Sequence, residues 1–183
     1  MRAFIAVELS KEIKDYLHGL QEDFKNRLKK EKNNVKLSWV AKKNLHLTLK
    51  FLGNVDEKKI EEVKKRLTKI EIESFEVYLD KIGFFPNDDD VKVIYIGLQP
   101  ESKIIKLQQR IDMELLELFN KEQGFHGHVT IARVKMIKDG RIVNELLNEK
   151  VERKKMILEG FQLMKSDLKK DGPSYTRLWE KKS

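Results

Sequence analysis

Two stretches far apart in the chain carry the same alternation of polar and apolar residues. KNLHLTLKFLG, residues 43–53, contains His46-Leu-Thr-Leu, and HGHVTIARV, residues 126–134, contains His128-Val-Thr-Ile. Alternation of this kind marks a half-buried strand, in which residues i and i+2 share a face about 6.5–7 Å apart. His46 and Thr48 therefore face one way, with Leu45, Leu47 and Leu49 turned to a core. His128 and Thr130 do the same, with Val129 and Ile131 behind them. The chain has only four histidines, so a doubled His-x-Thr constrains any fold that is to accommodate both.

The surroundings of the two motifs also repeat. Residues 2–8 read as a strand rich in β-branched and aromatic side chains. Ser10 is placed to cap a helix with Ile13, Tyr16, Leu17, Leu20, Phe24 and Leu28 on one face. A polar turn at Asn33-Asn34 precedes strand-like runs at 36–40 and 45–52, which Gly53 ends. Residues 56–70 then read as a helix, acidic early and basic late as its dipole favours. In the second half, strands at 75–85 and 91–98 flank a turn at 86–90. Ser102 is placed to cap a helix that buries Ile104, Ile105, Ile111, Leu115 and Leu118. A strand at 129–134, a short helix around 142–147 and strands near 156–164 and 175–179 complete the reading. Each half thus runs strand, helix, strands with the His-x-Thr, helix. No Pro/Gly/Ser-rich linker separates the halves, so the expectation is one α+β body over residues 1–183.

Charge and composition narrow the chemistry. A net charge of +8 and a pI near 9.4 suit a polyanionic partner such as nucleic acid. With 37% charged residues, interspersed Lys and Glu and no cysteine, a thermophile-like solvated surface fits as well. The lack of cysteine removes disulfides, thiolate catalysis and Cys-based zinc sites. The opening MRAFIAVEL has too short an apolar run for a signal peptide, and no stretch approaches the roughly 20 apolar residues of a membrane span. A soluble, cytoplasmic protein is the expectation.

One His-x-Thr is compatible with an ordinary polar strand face. Two, in matching positions of halves related by a pseudo-twofold axis, line a single cleft. Paired imidazoles suit in-line displacement at phosphorus: one, neutral, takes a proton from the attacking oxygen, and the other, protonated, gives one to the leaving oxygen. Threonine hydroxyls beside them donate to the non-bridging oxygens as charge builds there. Nothing in that scheme calls for a metal or cofactor. A rival reading makes His126 and His128 metal ligands, but no third histidine or carboxylate stands at a recognisable spacing. His18, between apolar neighbours of the first helix, reads as structural.

The two motifs resemble the paired H-x-T-x signature of the 2H phosphoesterase superfamily. HLTLKFLG and HVTIARV look like its RNA 2′,3′-cyclic phosphodiesterase branch, historically called 2′-5′ RNA ligase. The likeness runs from RAFIAVEL near the start to Gly172-Pro-Ser-Tyr175. It implies two pseudo-symmetric lobes, each a mostly antiparallel sheet with helices on its outer face, around a central cleft. It also implies metal-free chemistry on RNA ending in a 2′,3′-cyclic phosphate, giving a 2′-phosphate; a monomer is the expectation. The same site run backwards makes a 2′-5′ linkage. By resemblance His46, Thr48, His128 and Thr130 are catalytic, with His128 as base and His46 as acid. Arg133, five residues after its histidine, would hold the phosphate. Phe51, five after the other, would stack on a base or ribose, and Tyr175 falls in the family's G-P-x-Y segment. A non-catalytic RNA-end-binding module and an enzyme for small cyclic phosphodiesters are the competing readings.

Overall fold

The computed structural model covers residues 1–183 and describes all of them but Lys32, Asp88, Asp89 and Asp171. Its elements in chain order are β1 (Arg2–Glu8), α1 (Lys11–Leu28), β2 (Val35–Trp39), β3 (His46–Asn54), α2 (Glu57–Leu67), β4 (Phe75–Phe85), β5 (Val93–Gln99), α3 (Glu101–Glu114), β6 (His128–Ile137), α4 (Gly140–Leu147), β7 (Lys155–Leu158), β8 (Gly160–Lys169) and β9 (Gly172–Lys182). Side-chain caps start two helices where the sequence places them. The Ser10 hydroxyl accepts from Ile13 N at 3.3 Å, and the Asp56 carboxylate accepts from Lys59 N at 2.7 Å. The helix expected to be capped by Ser102 begins two residues earlier, after Pro100, and has no side-chain cap. Glu101, its first residue, directs its carboxylate elsewhere, to the backbone N–H of Gly127. The helix also stops at Glu114, with Leu118 packed in the turn beyond it. Of the turn at 86–90, Asp88 and Asp89 lie outside the described residues.

All strand pairings are antiparallel, in the order β7-β4-β5-β6-β3-β1-β8-β9, with β2 added on β6. The sheet is nearly two sheets. β6 and β3 meet at one residue pair, Leu47 against Val129. Beyond it β3 peels away, and β2 occupies the same edge of β6 from Ala132 to Ile137. One lobe is therefore β3-β1-β8-β9 and the other β7-β4-β5-β6-β2, splayed from a narrow seam.

The lobes are not the halves of the chain. β2, expected beside β3, pairs instead across the seam with β6. The run at 156–164, expected as one strand, breaks at Glu159: β7 completes the β4 edge of one lobe and β8 pairs with β1 in the other. The helices cross over as well. α1 follows a strand of the β1 lobe but packs on the β6 lobe, where buried Gln21 donates from Nε2 to Val40 O at 2.9 Å and Ile131 O at 2.8 Å. Phe24 of α1 also lies 6.3 Å from the Trp39 ring. α3 follows β5 but packs on the back of β3, beside α2. Each sheet is thus backed by a helix from the other half, and neither lobe can close its core alone.

The α3–β3 contact contains an unusual pair. Lys50 and Asp112 are 2% and 3% exposed, and Nζ stands 2.5 Å from Oδ1. Lys50 also donates to Asn120 O, while Asp112 Oδ2 accepts from Gln108 Nε2 and Glu122 N. A buried pair with its remaining valences met is tolerated; a lone buried charge is not. Asp112→Ala, which strands the ammonium, is predicted to lower stability by about 3–5 kcal/mol, and Lys50→Met/Asp112→Leu to recover part of that loss. Urea midpoints check this, and a loss in Asp112→Ala below about 1 kcal/mol would refute it.

Candidate active site

The seam decides what faces the cleft. Antiparallel pairing at Leu47 and Val129 turns those two residues to the core, each 0% exposed. Their neighbours on either side, His46 and Thr48 on β3 and His128 and Thr130 on β6, are then presented on the opposite face, all half-buried. The structure thus brings together the four side chains singled out from the sequence.

Strict alternation would send Phe51 and Arg133, five residues after their histidines, to the core side. A β-bulge in each strand prevents this. Ile5 opposes Lys50 and Ala6 opposes Thr48, leaving Leu49 as the extra residue in β3. Ile94 opposes Ala132 and Tyr95 opposes Thr130, leaving Ile131 as the extra residue in β6. The inserted residue reverses the parity of the residues that follow it, up to a second irregularity at Leu52 in β3 and Lys135 in β6. Lys50 and Ala132 turn inward, whereas Phe51, 58% exposed, and Arg133 turn outward to the histidine face. Arg133 has no carboxylate partner among the described residues, and its charge reaches His46, His128 and Tyr175.

Both imidazoles are set by the same local device. His46 Nδ1 donates to Asn44 O at 2.6 Å, and His128 Nδ1 donates to His126 O at 2.7 Å. A carbonyl can only accept, so each ring in its neutral form has its proton on Nδ1 and its lone pair on Nε2. His46 Nε2 lies 2.9 Å from Thr48 Oγ1. His128 Nε2 has no hydrogen-bond partner among the described residues. Asn44, which supplies one carbonyl, is itself held by its Nδ2 donating to Pro173 O at 2.7 Å. That bond ties the Gly172-Pro-Ser-Tyr175 segment to His46, and the Tyr175 ring stands edge-on to the imidazole at 5.3 Å.

Aromatic rings enclose each histidine. Phe4 lies 5.0 Å from His46 and 4.9 Å from Tyr175. Across the cleft, Phe85 and Tyr95 stack on each other at 4.3 Å and lie 4.8 and 5.1 Å from His128. Burial holds both histidines below their ordinary pKa of 6.5, outweighing the carbonyl bonds that would raise them; the positive charge of Arg133 adds to the depression of both. Burial also pushes the Tyr175 phenol up. The sequence pattern does not single out Phe4, Phe85 or Tyr95 as site residues. Tyr95 alone carries a signal, a polar-tipped residue between isoleucines in the alternation of β5; Phe4 and Phe85 read as core.

His126, the rival ligand candidate, pairs through Nδ1 with Glu101 Oε1 at 2.5 Å, and its ring is 6.4 Å from that of His128. Among the described residues no group of three His, Asp or Glu side chains gathers into a metal-ligand set. His18 makes a local contact to Gln21 Oε1 at 3.4 Å, in keeping with a structural place on α1. No helix among the described residues is long and apolar enough to cross a membrane.

A model of the family described as LigT like Phosphoesterase matches the chain twice, over residues 7–95 and 96–175, and the chain belongs to this family of 2H phosphoesterases. The repeat read from the motifs is thus a repeat of the family's own pattern. The chain is 35% identical over 182 residues to the RNA 2′,3′-cyclic phosphodiesterase of Methanocaldococcus jannaschii, covering 96% of each chain. It is 32% identical over 181 residues to that of Methanothermobacter thermautotrophicus, covering 96% of this chain and 95% of the other. A solved structure from Thermus thermophilus superposes with a TM-score of 0.79 at 27% identity, over 98% of this chain and 96% of that one. Escherichia coli LigT in its apo form has the same fold, with a TM-score of 0.74 at 23% identity over 99% of this chain and 96% of that one.

The aromatic wall of His128 depends on one glycine. Gly83 sits opposite Tyr95 in β4, and a Cβ at that position would run into the Tyr95 ring. Gly83→Ala is predicted to displace that ring, wet His128 and raise its pKa towards 6.5 while His46 stays low, as read by NMR titration of the two imidazole Cε1–H signals. Unchanged titration of His128 would contradict the assigned cause. In the parent protein both histidines bind protons less readily folded than unfolded. Their contribution to stability is therefore complete above about pH 6.5 and is lost as pH falls below it.

Proposed function

We propose that this protein, acting as one bilobal unit over residues 1–183, hydrolyses RNA 2′,3′-cyclic phosphate ends to 2′-phosphates by metal-independent acid–base catalysis. The observation that carries this reading is the pair of His-x-Thr motifs facing one cleft across a one-residue seam, each imidazole fixed with Nε2 as its working atom. The names of the relatives supply the substrate class.

In the proposed reaction the cyclic phosphate lies between the two histidines. His128 Nε2, neutral, takes a proton from water as its oxygen bonds to phosphorus. The bond from phosphorus to the 3′ oxygen breaks, and His46, protonated at Nε2, gives its proton to that oxygen. The products are a 2′-phosphate and a 3′-hydroxyl, and proton exchange with solvent resets the pair. Burial disfavours the protonated imidazole that the acid step needs, and the anionic substrate offsets this by stabilising the cation. Thr48 and Thr130 hydroxyls donate to the non-bridging oxygens. Arg133, without a carboxylate partner among the described residues, receives the phosphate with its guanidinium fork. Phe51 offers an exposed ring for stacking on ribose or base, and Tyr175 closes the wall beside His46. With a 5′-hydroxyl in place of water, the reverse reaction forms a 2′-5′ linkage. A module that only binds RNA ends has no use for two acid–base groups with matched tautomers.

Product analysis on a 2′,3′-cyclic-ended oligoribonucleotide in excess EDTA tests the reading. The expected product is the 2′-phosphate, with His46→Ala and His128→Ala each slower by about 10²–10⁴-fold. Activity lost in EDTA and restored by one divalent ion would overturn the two-histidine mechanism.

A further inference from the structure

Two cavities flank the histidines, and their charge differs. The one beside His46 has a volume of about 390 Å³, within the usual range for small-molecule sites. The one beside His128 is smaller, about 130 Å³. Among the residues lining the smaller cavity the charged groups are Lys50, already ion-paired to Asp112, and Glu122. The larger cavity is lined by three cations from three separate elements: Lys14 of α1, Lys43 of the turn before β3 and Arg177 of β9. One carboxylate, Glu8, faces them; it accepts from Lys14 Nζ at 3.1 Å and from Gln162 Nε2 at 3.0 Å. Arg177 is 3.3 Å from Glu180, and Lys43 is exposed and has no ion-pair partner among the described residues. The cavity keeps a positive excess next to the acid that serves the leaving oxygen.

We infer that the cavity formed by Lys14, Lys43 and Arg177 is a second phosphate subsite, which takes the 5′-phosphate of the nucleotide whose cyclic phosphate is opened. The inference rests on the proposed cyclic phosphodiesterase reading. Its geometry follows from covalent connectivity. The 3′ oxygen that departs at His46 belongs to the ribose carbon that leads through C4′ and C5′ to the 5′ oxygen. The 5′-phosphate therefore leaves the catalytic centre on the His46 side, where the cations stand. The His128 side, with no unpaired cation lining its cavity, receives water or an uncharged 5′-hydroxyl. The asymmetry sets the polarity of the bound strand and favours an RNA end, which always carries that upstream phosphate, over a lone cyclic nucleoside phosphate.

The test compares kcat/KM for one nucleoside 2′,3′-cyclic phosphate with and without a 5′-phosphate, so that the substrates differ by a single group. Both are measured on the same protein sample, and their ratio is independent of the fraction folded. The expected result is a wild-type preference for the 5′-phosphorylated substrate that falls about 5- to 20-fold in Lys43→Ala and in Arg177→Ala, and further in Lys43→Glu. Lys58→Ala, on the exposed face of α2, should leave the ratio unchanged. The preference should also weaken with salt, with a slope of roughly −0.7 in log–log form for one phosphate contact. A wild type that turns over both substrates without preference, or a preference untouched in Lys43→Glu and Arg177→Ala, overturns the subsite while the phosphodiesterase reading stands. A wild type that turns over neither overturns both.

Discussion

One residue pair governs the cleft. Leu47 and Val129 are the one ladder pair between β3 and β6 among the described residues, and both are fully buried, so their neighbours in sequence have to face outward together. A longer ladder would flatten the two lobes into one continuous sheet and leave no cleft. Without any contact, nothing would hold the imidazoles in mutual register. β2 secures the arrangement by taking the edge of β6 that β3 vacates, with Val40 N donating to Ile131 O at 3.0 Å. The crossed helices reinforce it from behind: α1 reaches the β6 lobe through Gln21, and α3 reaches β3 through Asp112.

The two cleft-facing imidazoles are oriented by backbone rather than by other side chains. Each histidine donates from Nδ1 to the carbonyl two residues before it. The contact is local, occurs twice, and fixes the same tautomer of the neutral ring in both lobes. The surrounding rings then lower the pKa of both groups by excluding water. Pseudo-symmetry stops beyond the bulges. Phe51 and Arg133 occupy equivalent places beyond equivalent bulges, yet one offers a ring and the other a charge. The flanking cavities differ in the same manner, one cationic and the other balanced. A duplicated scaffold thus presents an asymmetric surface.

What could be read from the sequence was what local physics decides. The cap at Ser10 acts within one helical turn, and period-two alternation placed each His-x-Thr on a single strand face. Long-range pairing left no comparable mark. Nothing near residues 36–40 tells that β2 crosses to β6, and nothing at Glu159 announces that 156–164 divides between two lobes. The bulges at Leu49 and Ile131 contain neither glycine nor proline, so the parity reversal that brings Phe51 and Arg133 to the site was invisible to the pattern; resemblance supplied those two residues. Phe4 and Phe85 stayed hidden because an aromatic ring against a cleft-facing histidine has the same apolar neighbours in sequence as one in the core. Ser102 misled because a good capping residue stood two positions too late, after a proline that already holds the cap position.

The central claim is a division of labour between two imidazoles, and a substrate whose leaving group needs no proton tests it most directly. On a nucleoside 2′-phosphodiester of 4-nitrophenol, compared with a 2′,3′-cyclic-ended RNA, His46→Ala should regain most of its lost rate. His128→Ala should stay impaired, because water still has to be deprotonated. Rescue of His128→Ala instead, or less than a tenfold loss in both variants on the cyclic-ended RNA, would contradict the account.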